Sequence, residues 1–170
     1  IMIDPNLFIK FLTEKEIDFY CGVPDSLLKE LSFCFDETID PENHKITANE
    51  GSAIALAAGH YLATGKTPVV YLQNSGLGNA INPLLSLCDS SVYKIPMIIL
   101  IGWRGEPGIY DEPQHIKQGA IQEKLLNTLE IPYEIIDNEL KNYNLISNLI
   151  AKSKHEVRPV ALLIKKNTFS

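Results

Sequence analysis

The sequence predicts an α/β fold: a three-layer α/β/α sandwich around a mostly parallel six-stranded sheet. Two observations carry that prediction. Short apolar runs of strand length alternate with segments of helical periodicity along the whole chain, and the run Pro96 to Trp103 is almost continuously apolar, as a strand covered on both faces must be. Parallel strands need crossovers, and helical crossovers cover both faces of the sheet. With 170 residues and 45% apolar content, the chain can bury one sizeable core, so residues 1–170 are read as a single domain.

The elements follow in order. Asp4-Pro5 is a helix start, Asp as N-cap and Pro at the first helical position, with Phe8, Phe11 and Leu12 at helical spacing behind it. Phe19 to Val23 is a strand closed by Pro24-Asp25, and Ser26 to Phe35 then repeats Leu27, Leu28, Leu31 and Phe35 on one helical face. Lys45 to Ala48 reads as a strand; Glu50 to Thr64 is an Ala- and Leu-rich helix stopped by Gly65. A buried strand, Pro68 to Gln73, leads through Asn74-Ser75-Gly76 to a helix from about Gly78 to Cys88. After the strand Pro96 to Trp103, a polar loop runs into a helix around Gln118 to Leu129. Pro132 to Asp137, a helix near Leu140 to Lys152, and Pro159 to Lys166 complete the pattern.

Composition excludes several classes. The net charge is −6 and acidic residues outnumber basic ones, so there is no basic stripe for nucleic acid. No apolar run approaches the roughly 18 residues that cross a bilayer, and the segment Ile1 to Pro5 lacks the regions of a signal peptide, so a soluble cytoplasmic protein without a membrane partner is expected. Cys21, Cys34 and Cys88 lie far apart and form no ligand spacing; they are expected reduced and buried, and no metal site is expected from this chain.

In open parallel sheets ligands sit beyond the carboxyl ends of the strands, so the loops at residues 23–26, 48–51, 73–79 and 102–115 should converge on one rim. Each admits a plain reading. Asp25 and Asn49 suit helix N-caps, and Glu50 suits the positive end of a helix dipole. Asn74 to Asn79 is a glycine turn whose free N–H groups could hold a ligand, though it is neither a P-loop nor a dinucleotide fingerprint. Trp103 to His115 is a charged, aromatic, turn-rich loop on a rigid scaffold, a common carrier of function and equally an ordinary solvated loop.

Taken together, four strings in these loops carry a resemblance. Gly22-Val23-Pro24-Asp25-Ser26, the helix start Asn49-Glu50-Gly51-Ser52-Ala53, the turn Asn74-Ser75-Gly76-Leu77-Gly78-Asn79, and Gly102-Trp103-Arg104-Gly105-Glu106-Pro107-Gly108 occur in the order found in the amino-terminal half of phosphonopyruvate decarboxylases, a branch of the thiamine diphosphate-dependent 2-oxo acid decarboxylases. The glutamate-led Ala-rich helix is general to thiamine diphosphate enzymes; the Trp-Arg-Gly-Glu-Pro-Gly loop followed by Asp111-Glu112-Pro113-Gln114-His115 is similar to the phosphonopyruvate branch in particular.

The resemblance implies a pyrimidine-binding (Pyr) domain of the thiamine diphosphate-binding fold, acting on 3-phosphonopyruvate to give phosphonoacetaldehyde and carbon dioxide. It implies that Glu50 hydrogen-bonds the aminopyrimidine N1′ of thiamine diphosphate, that Asp25 stands beside the reacting centre as acid or base, and that Asn74, Ser75, Gly76 and Asn79 pack near the pyrimidine. A carboxyl shielded by Ala53, Ile54 and apolar strands could sustain the proton exchange that Glu50 would need. Arg104 and His115 are candidates for the phosphonate, since a planar guanidinium matches such oxygens at two points. His44, His60 and His155 are read as surface or packing residues.

One departure matters: the Gly-Asp-Gly motif that binds Mg2+ and the cofactor diphosphate in the family does not occur here. The site should therefore be completed by a diphosphate-binding domain of the same or another chain, in a homo-oligomer. The phosphonopyruvate-type loop and the isoleucine before Met2 favour a fragment over a separate subunit. The alternatives are the alpha subunit of a sulfopyruvate decarboxylase and, from another class, a non-catalytic flavodoxin-like binding module.

Overall fold

The computed structural model describes residues 2–139 and 142–170. A six-stranded, all-parallel sheet in the order β2-β1-β3-β4-β6-β5 forms its centre. The strands are β1 (Tyr20–Gly22), β2 (His44–Ile46), β3 (Val69–Gln73), β4 (Met97–Gly102), β5 (Tyr133–Ile136) and β6 (Pro159–Ile164). The helices are α1 (Pro5–Glu14), α2 (Lys29–Thr38), α3 (Glu50–Thr64), α4 (Leu77–Pro83), α5 (Pro113–Thr128) and α6 (Asn142–Glu156). The helix start expected near Leu140 lies outside the described residues, as does Ile1. No described helix is long and apolar enough to cross a membrane.

Period-two alternation along the strands splits the core in two. Val69 and Tyr71 point to the layer of α1, α2 and α6, where they meet Phe8, Leu31, Phe35 and Ile146. Val70 and Leu72 point to the layer of α3, α4 and α5, meeting Ala53, Ile54, Leu77 and Leu126. Each fully buried Leu, Ile or Phe in these layers contributes roughly 1.5–3 kcal/mol. The local signals act as expected at α1, where the Asp4 side chain accepts from the N–H of Asn6 at 2.7 Å, and at the end of α3, where Gly65 takes φ +73°.

Several boundaries differ from expectation for identifiable reasons. The segment after Asp25 begins as a 3-10 turn over Ser26–Leu28 before α2. Another such turn, Asn74–Gly76, precedes α4, and beyond Pro83 the chain relaxes into a π turn over Leu84–Cys88. Proline has no N–H for the helical ladder, so a change of helix type there is its local effect. The strand expected over Lys45 to Ala48 is His44–Ile46, and α5 begins at Pro113 instead of Gln118, which transfers His115 from the loop to the first helical turn.

The sheet order makes a crevice. The chain leaves β1 through α2 on one face and leaves its neighbour β3 through α4 on the other, so the carboxyl ends of β1 and β3 diverge. That is the switch point at which open α/β sheets bind ligands. Its geometry rests on a close approach: Tyr71 of β3 lies across Gly22 of β1, and the N–H of Val23 donates to the Tyr71 carbonyl at 3.0 Å. The Tyr71 hydroxyl then reaches His44 Nε2 on β2 at 2.8 Å, while His44 Nδ1 sits 3.2 Å from Asp36 of α2. The carboxylate can only accept, so Nδ1 carries the proton and Nε2 accepts from the phenol. Burial holds the imidazole below its usual pKa, in keeping with that neutral form. His60 stacks on Phe19 at 4.1 Å, a packing role, and His155 is exposed.

A methyl group at Gly22 would overlap the Tyr71 carbonyl and ring. Gly22→Ala is therefore expected to cost about 1–3 kcal/mol of stability through overpacking, read as a lower urea midpoint. An unchanged midpoint would show that the β1–β3 contact yields without cost.

Candidate active site

Glu50 opens α3, where Asn49, in extended conformation, caps the helix by accepting the Ser52 N–H at 2.9 Å. The Glu50 carboxyl lies flat against the backbone of Gly76, a place any Cβ would occupy, and Asn79 Nδ2 donates to its Oε2 at 2.8 Å. Gly51 in turn packs on the Asn79 carbonyl. The starts of α3 and α4 are thus fitted to each other through two glycines, with Gly76 and Asn79 at the carboxyl, while Ser75, next to Gly76 in the chain, accepts from Gln73 Nε2. Shielding by Ala53 and Ile54 is not what surrounds this group. Both lie fully buried beneath the helix against the sheet, while Glu50 is half-exposed at the rim between Gly76 and Asn79.

Asp25 is buried at 6% exposure at the end of β1. Its Oδ2 accepts the Leu27 N–H at 3.1 Å, the N-cap bond expected of it, and presses on Gly102 at the end of β4, where a Cβ would collide. Its other oxygen, Oδ1, is buried with no hydrogen-bond partner among the described residues. Burial raises the pKa of this carboxyl above the usual range, against the lowering effect of the Leu27 N–H and the Arg104 charge. A cap alone leaves the orphaned oxygen unexplained. A buried acceptor without a partner costs free energy and marks a place for a ligand proton or donor.

Asn74 takes a different part from that expected. It is 1% exposed, its Nδ2 donates to the Arg104 carbonyl at 2.8 Å, and its Oδ1 accepts the Arg104 N–H at 3.1 Å. Its amide therefore braces the loop after β4 and does not face Glu50. Arg104 in turn donates from Nε and Nη2 to Asp111 at 2.8 and 2.5 Å and from Nη1 to Ser26 Oγ at 2.9 Å. Three of its five N–H groups are used within the chain. The Arg104 hydrogen bonds hold the Asp111 carboxyl far below the usual range.

The same loop is tied down on its other side by Glu106 and Lys165, 2.7 Å apart, and by the Trp103 indole, which donates to the Gly119 carbonyl at 3.1 Å. Gly105, with φ +68°, lies against the backbone of His115, and Gly119 of α5 lies against the backbone of Gly105, leaving no room for a Cβ at either. His115 is half-buried in the first turn of α5 and does not line the cavity beside Arg104.

That cavity, about 200 Å3, is bounded by Ser26, Leu27, Trp103, Arg104, Tyr110 and Lys166, with Glu106, Ile109 and Asp111. Lys165 and Lys166 follow β6, a strand end that belongs to the same rim and that a reading confined to four loops passes over. The signal was available in the rule that all parallel strands end on one side.

The domain is thus an open parallel α/β sheet with one carboxylate at the start of α3 and a second, one oxygen of it unpartnered among the described residues, beyond β1 at the switch point. The chain belongs to the family described as thiamine pyrophosphate enzyme, N-terminal TPP binding domain, whose model matches residues 5–131. It is 39% identical over 127 residues to the phosphonopyruvate decarboxylase of Streptomyces viridochromogenes, covering 74% of this chain and 30% of that protein. It is 36% identical over 155 residues to the sulfopyruvate decarboxylase subunit alpha of Methanococcus maripaludis, covering 91% of this chain and 90% of the subunit. The chain thus spans about a third of the first relative's length. Among solved structures, benzoylformate decarboxylase from Polynucleobacter necessarius superposes over 97% of this chain and 30% of its own, with a TM-score of 0.74 at 18% identity, a likeness of fold.

The pH dependence of Asp25 follows from its burial. Unfolding returns the carboxyl to its ordinary value of 3.8, below its raised folded value, so the native state binds its proton more tightly. Measured against Asp25→Asn, wild-type stability should fall as pH rises from about that ordinary value through the folded one, and then level off. Urea titrations from acidic to neutral pH read this, and a rise in relative stability over that window would contradict the assignment.

Proposed function

We propose that the chain is the pyrimidine-binding part of a thiamine diphosphate-dependent decarboxylase that converts 3-phosphonopyruvate to phosphonoacetaldehyde and carbon dioxide. The observation that carries this reading is the Glu50 carboxyl, seated on Gly76 and held by Asn79 at the rim of a thiamine-family domain. The residues fit the cofactor: Gly76 leaves the carboxyl room, no heavy atom comes within 4 Å of the Cβ position of Gly78, and Asp25 offers an unpartnered oxygen. When bound, thiamine diphosphate would supply the electron sink for the pair left on the substrate carbon as carbon dioxide departs.

The chain's own groups then have separate tasks. Glu50 holds and exchanges a proton with N1′ of the aminopyrimidine, and Asn79 fixes the orientation of its carboxyl. Ser75 and Gly76 border the pyrimidine, and Asn74 serves the site by holding Arg104. Asp25, kept toward its protonated form by burial, can give a proton to the product carbon or to the substrate's 2-oxo oxygen. Arg104 keeps two N–H groups beyond those given to Asp111 and Ser26 for the substrate's far end, and His115 stands behind that loop against Gly105. Mg2+ and the cofactor diphosphate fall to a diphosphate-binding domain of the same or another chain, in a homo-oligomeric cytoplasmic enzyme.

The second reading, the alpha subunit of a sulfopyruvate decarboxylase, is favoured by the longer stretch of identity to such subunits, 155 residues against 127. It shares every step above and differs in the substrate's anionic tail. Steady-state kinetics of the complete enzyme on the two acids separates them: a higher kcat/KM for phosphonopyruvate supports the first reading, and preference for sulfopyruvate overturns it.

Two outcomes test the shared reading. Glu50→Gln in the complete enzyme should keep the fold and slow hydrogen–deuterium exchange at the cofactor C2 by about 10²- to 10⁴-fold, with the loss falling mainly on kcat. An unchanged exchange rate would remove Glu50 from that role. Calorimetry on this chain alone should find no Mg2+-dependent retention of thiamine diphosphate; tight binding would place the diphosphate ligands within it.

A further inference from the structure

We infer that the cavity between the loop after β4 and the end of β6 is a preformed subsite for a tetrahedral oxyanion, with Lys166 as its charged anchor and Ser26 as a second donor. This deepens the proposed function and rests on it for the identity of the substrate, though not for the existence of the site. Two of its lining residues, Ser26 and Leu27, directly follow Asp25 in the chain, so the cavity opens next to the segment that carries that carboxyl.

The charges lining it decide the chemistry. Glu106 is paired with Lys165 at 2.7 Å, and Asp111 takes two hydrogen bonds from Arg104. Both lining carboxylates are therefore neutralised by cations committed to them. Lys166, exposed at the rim, has no ion pair among the described residues and is the surplus charge lining the cavity. Arg104 adds two N–H groups that no described residue takes up, and Ser26 Oγ, which accepts from Arg104 Nη1, has no acceptor for its own O–H among the described residues. Leu27 and Trp103 supply apolar wall, and Tyr110, 89% exposed, stands at the mouth.

The arrangement suits a small acid with an anion at its far end. Two ion pairs and the Asn74 amide hold the loop in place, so little ordering would be needed on binding. A phosphonate carries more negative charge at neutral pH than a sulfonate of the same shape, and pyruvate has no anion there at all. Discrimination should follow that order.

Trp103 is the chain's one tryptophan and lines the cavity, so its fluorescence reports occupancy. On the full chain, methylphosphonate should give a saturable change, methanesulfonate a weaker one, and acetate little. Lys166→Met should raise the methylphosphonate Kd by about ten- to a hundredfold, the effect of losing a charge-assisted hydrogen bond, whereas Lys166→Arg should stay within about threefold of wild type. No saturable response in the wild type, or an unchanged Kd in Lys166→Met with its circular dichroism intact, overturns the subsite. In the complete enzyme, Lys166→Met should lower kcat/KM for phosphonopyruvate at least about tenfold more than for pyruvate; an equal loss overturns the subsite's role in catalysis. An enzyme inert toward every 2-oxo acid, whose Trp103 signal still depends on Lys166, would refute the decarboxylase reading and support the anion site.

Discussion

Both carboxylates of the site are seated on a glycine contributed by a neighbouring segment of the rim. Glu50 lies on Gly76 beyond β3, and Asp25 lies on Gly102 at the end of β4. A side chain at either glycine would need the volume that the carboxyl already fills, and close-packed interiors have little slack to give. The rest of the site depends on these two seats: α3 and α4 are spaced by the first, while the second sets where β1 ends against β4. The tolerance is narrow because the partner in each case is backbone, which cannot rotate aside.

Around those seats runs a polar frame that links four segments. Asn74 clasps the backbone of Arg104, Arg104 clasps Asp111 and Ser26, and Glu106 ties the same loop to Lys165 after β6. Half-buried ion pairs of this kind contribute little net stability when weighed against desolvation, but removing one partner strands the other. Their value here is positional. A turn-rich loop with two glycines at positive φ, Gly105 and Gly108, would otherwise have many conformations.

Much of this architecture was legible in the sequence because its signals were local. The Asp4-Pro5 start, the span Glu50–Thr64 with its Gly65 stop, and the apolar strands all declare themselves through caps, propensity and periodicity. Placing the four loops on one rim needed only the parallel order of the strands. What was not legible depended on contacts distant in sequence. Asn74 looked like a ligand group because its partner lies 30 residues away, and Glu50 looked shielded because the glycine beneath it is 26 residues further on. The early start of α5 at Pro113 was a local signal, a proline at a first helical position, outweighed by the turn-rich composition before it.

The switch point between β1 and β3 divides the labour of the domain. Glu50, Gly76 and Asn79 belong to segments leaving toward one layer, whereas Ser26, Arg104 and Lys166 gather around the ends of β1, β4 and β6. They are joined by Asn74, which lies in the same turn as Gly76 and whose amide holds the Arg104 backbone. Because that junction is made to backbone atoms, the side chains around the cavity are free to vary while the fit of α3 on α4 is kept. Related chains should accordingly differ most in the loop after β4 and at the end of β6, and least at the junction of α3 with α4.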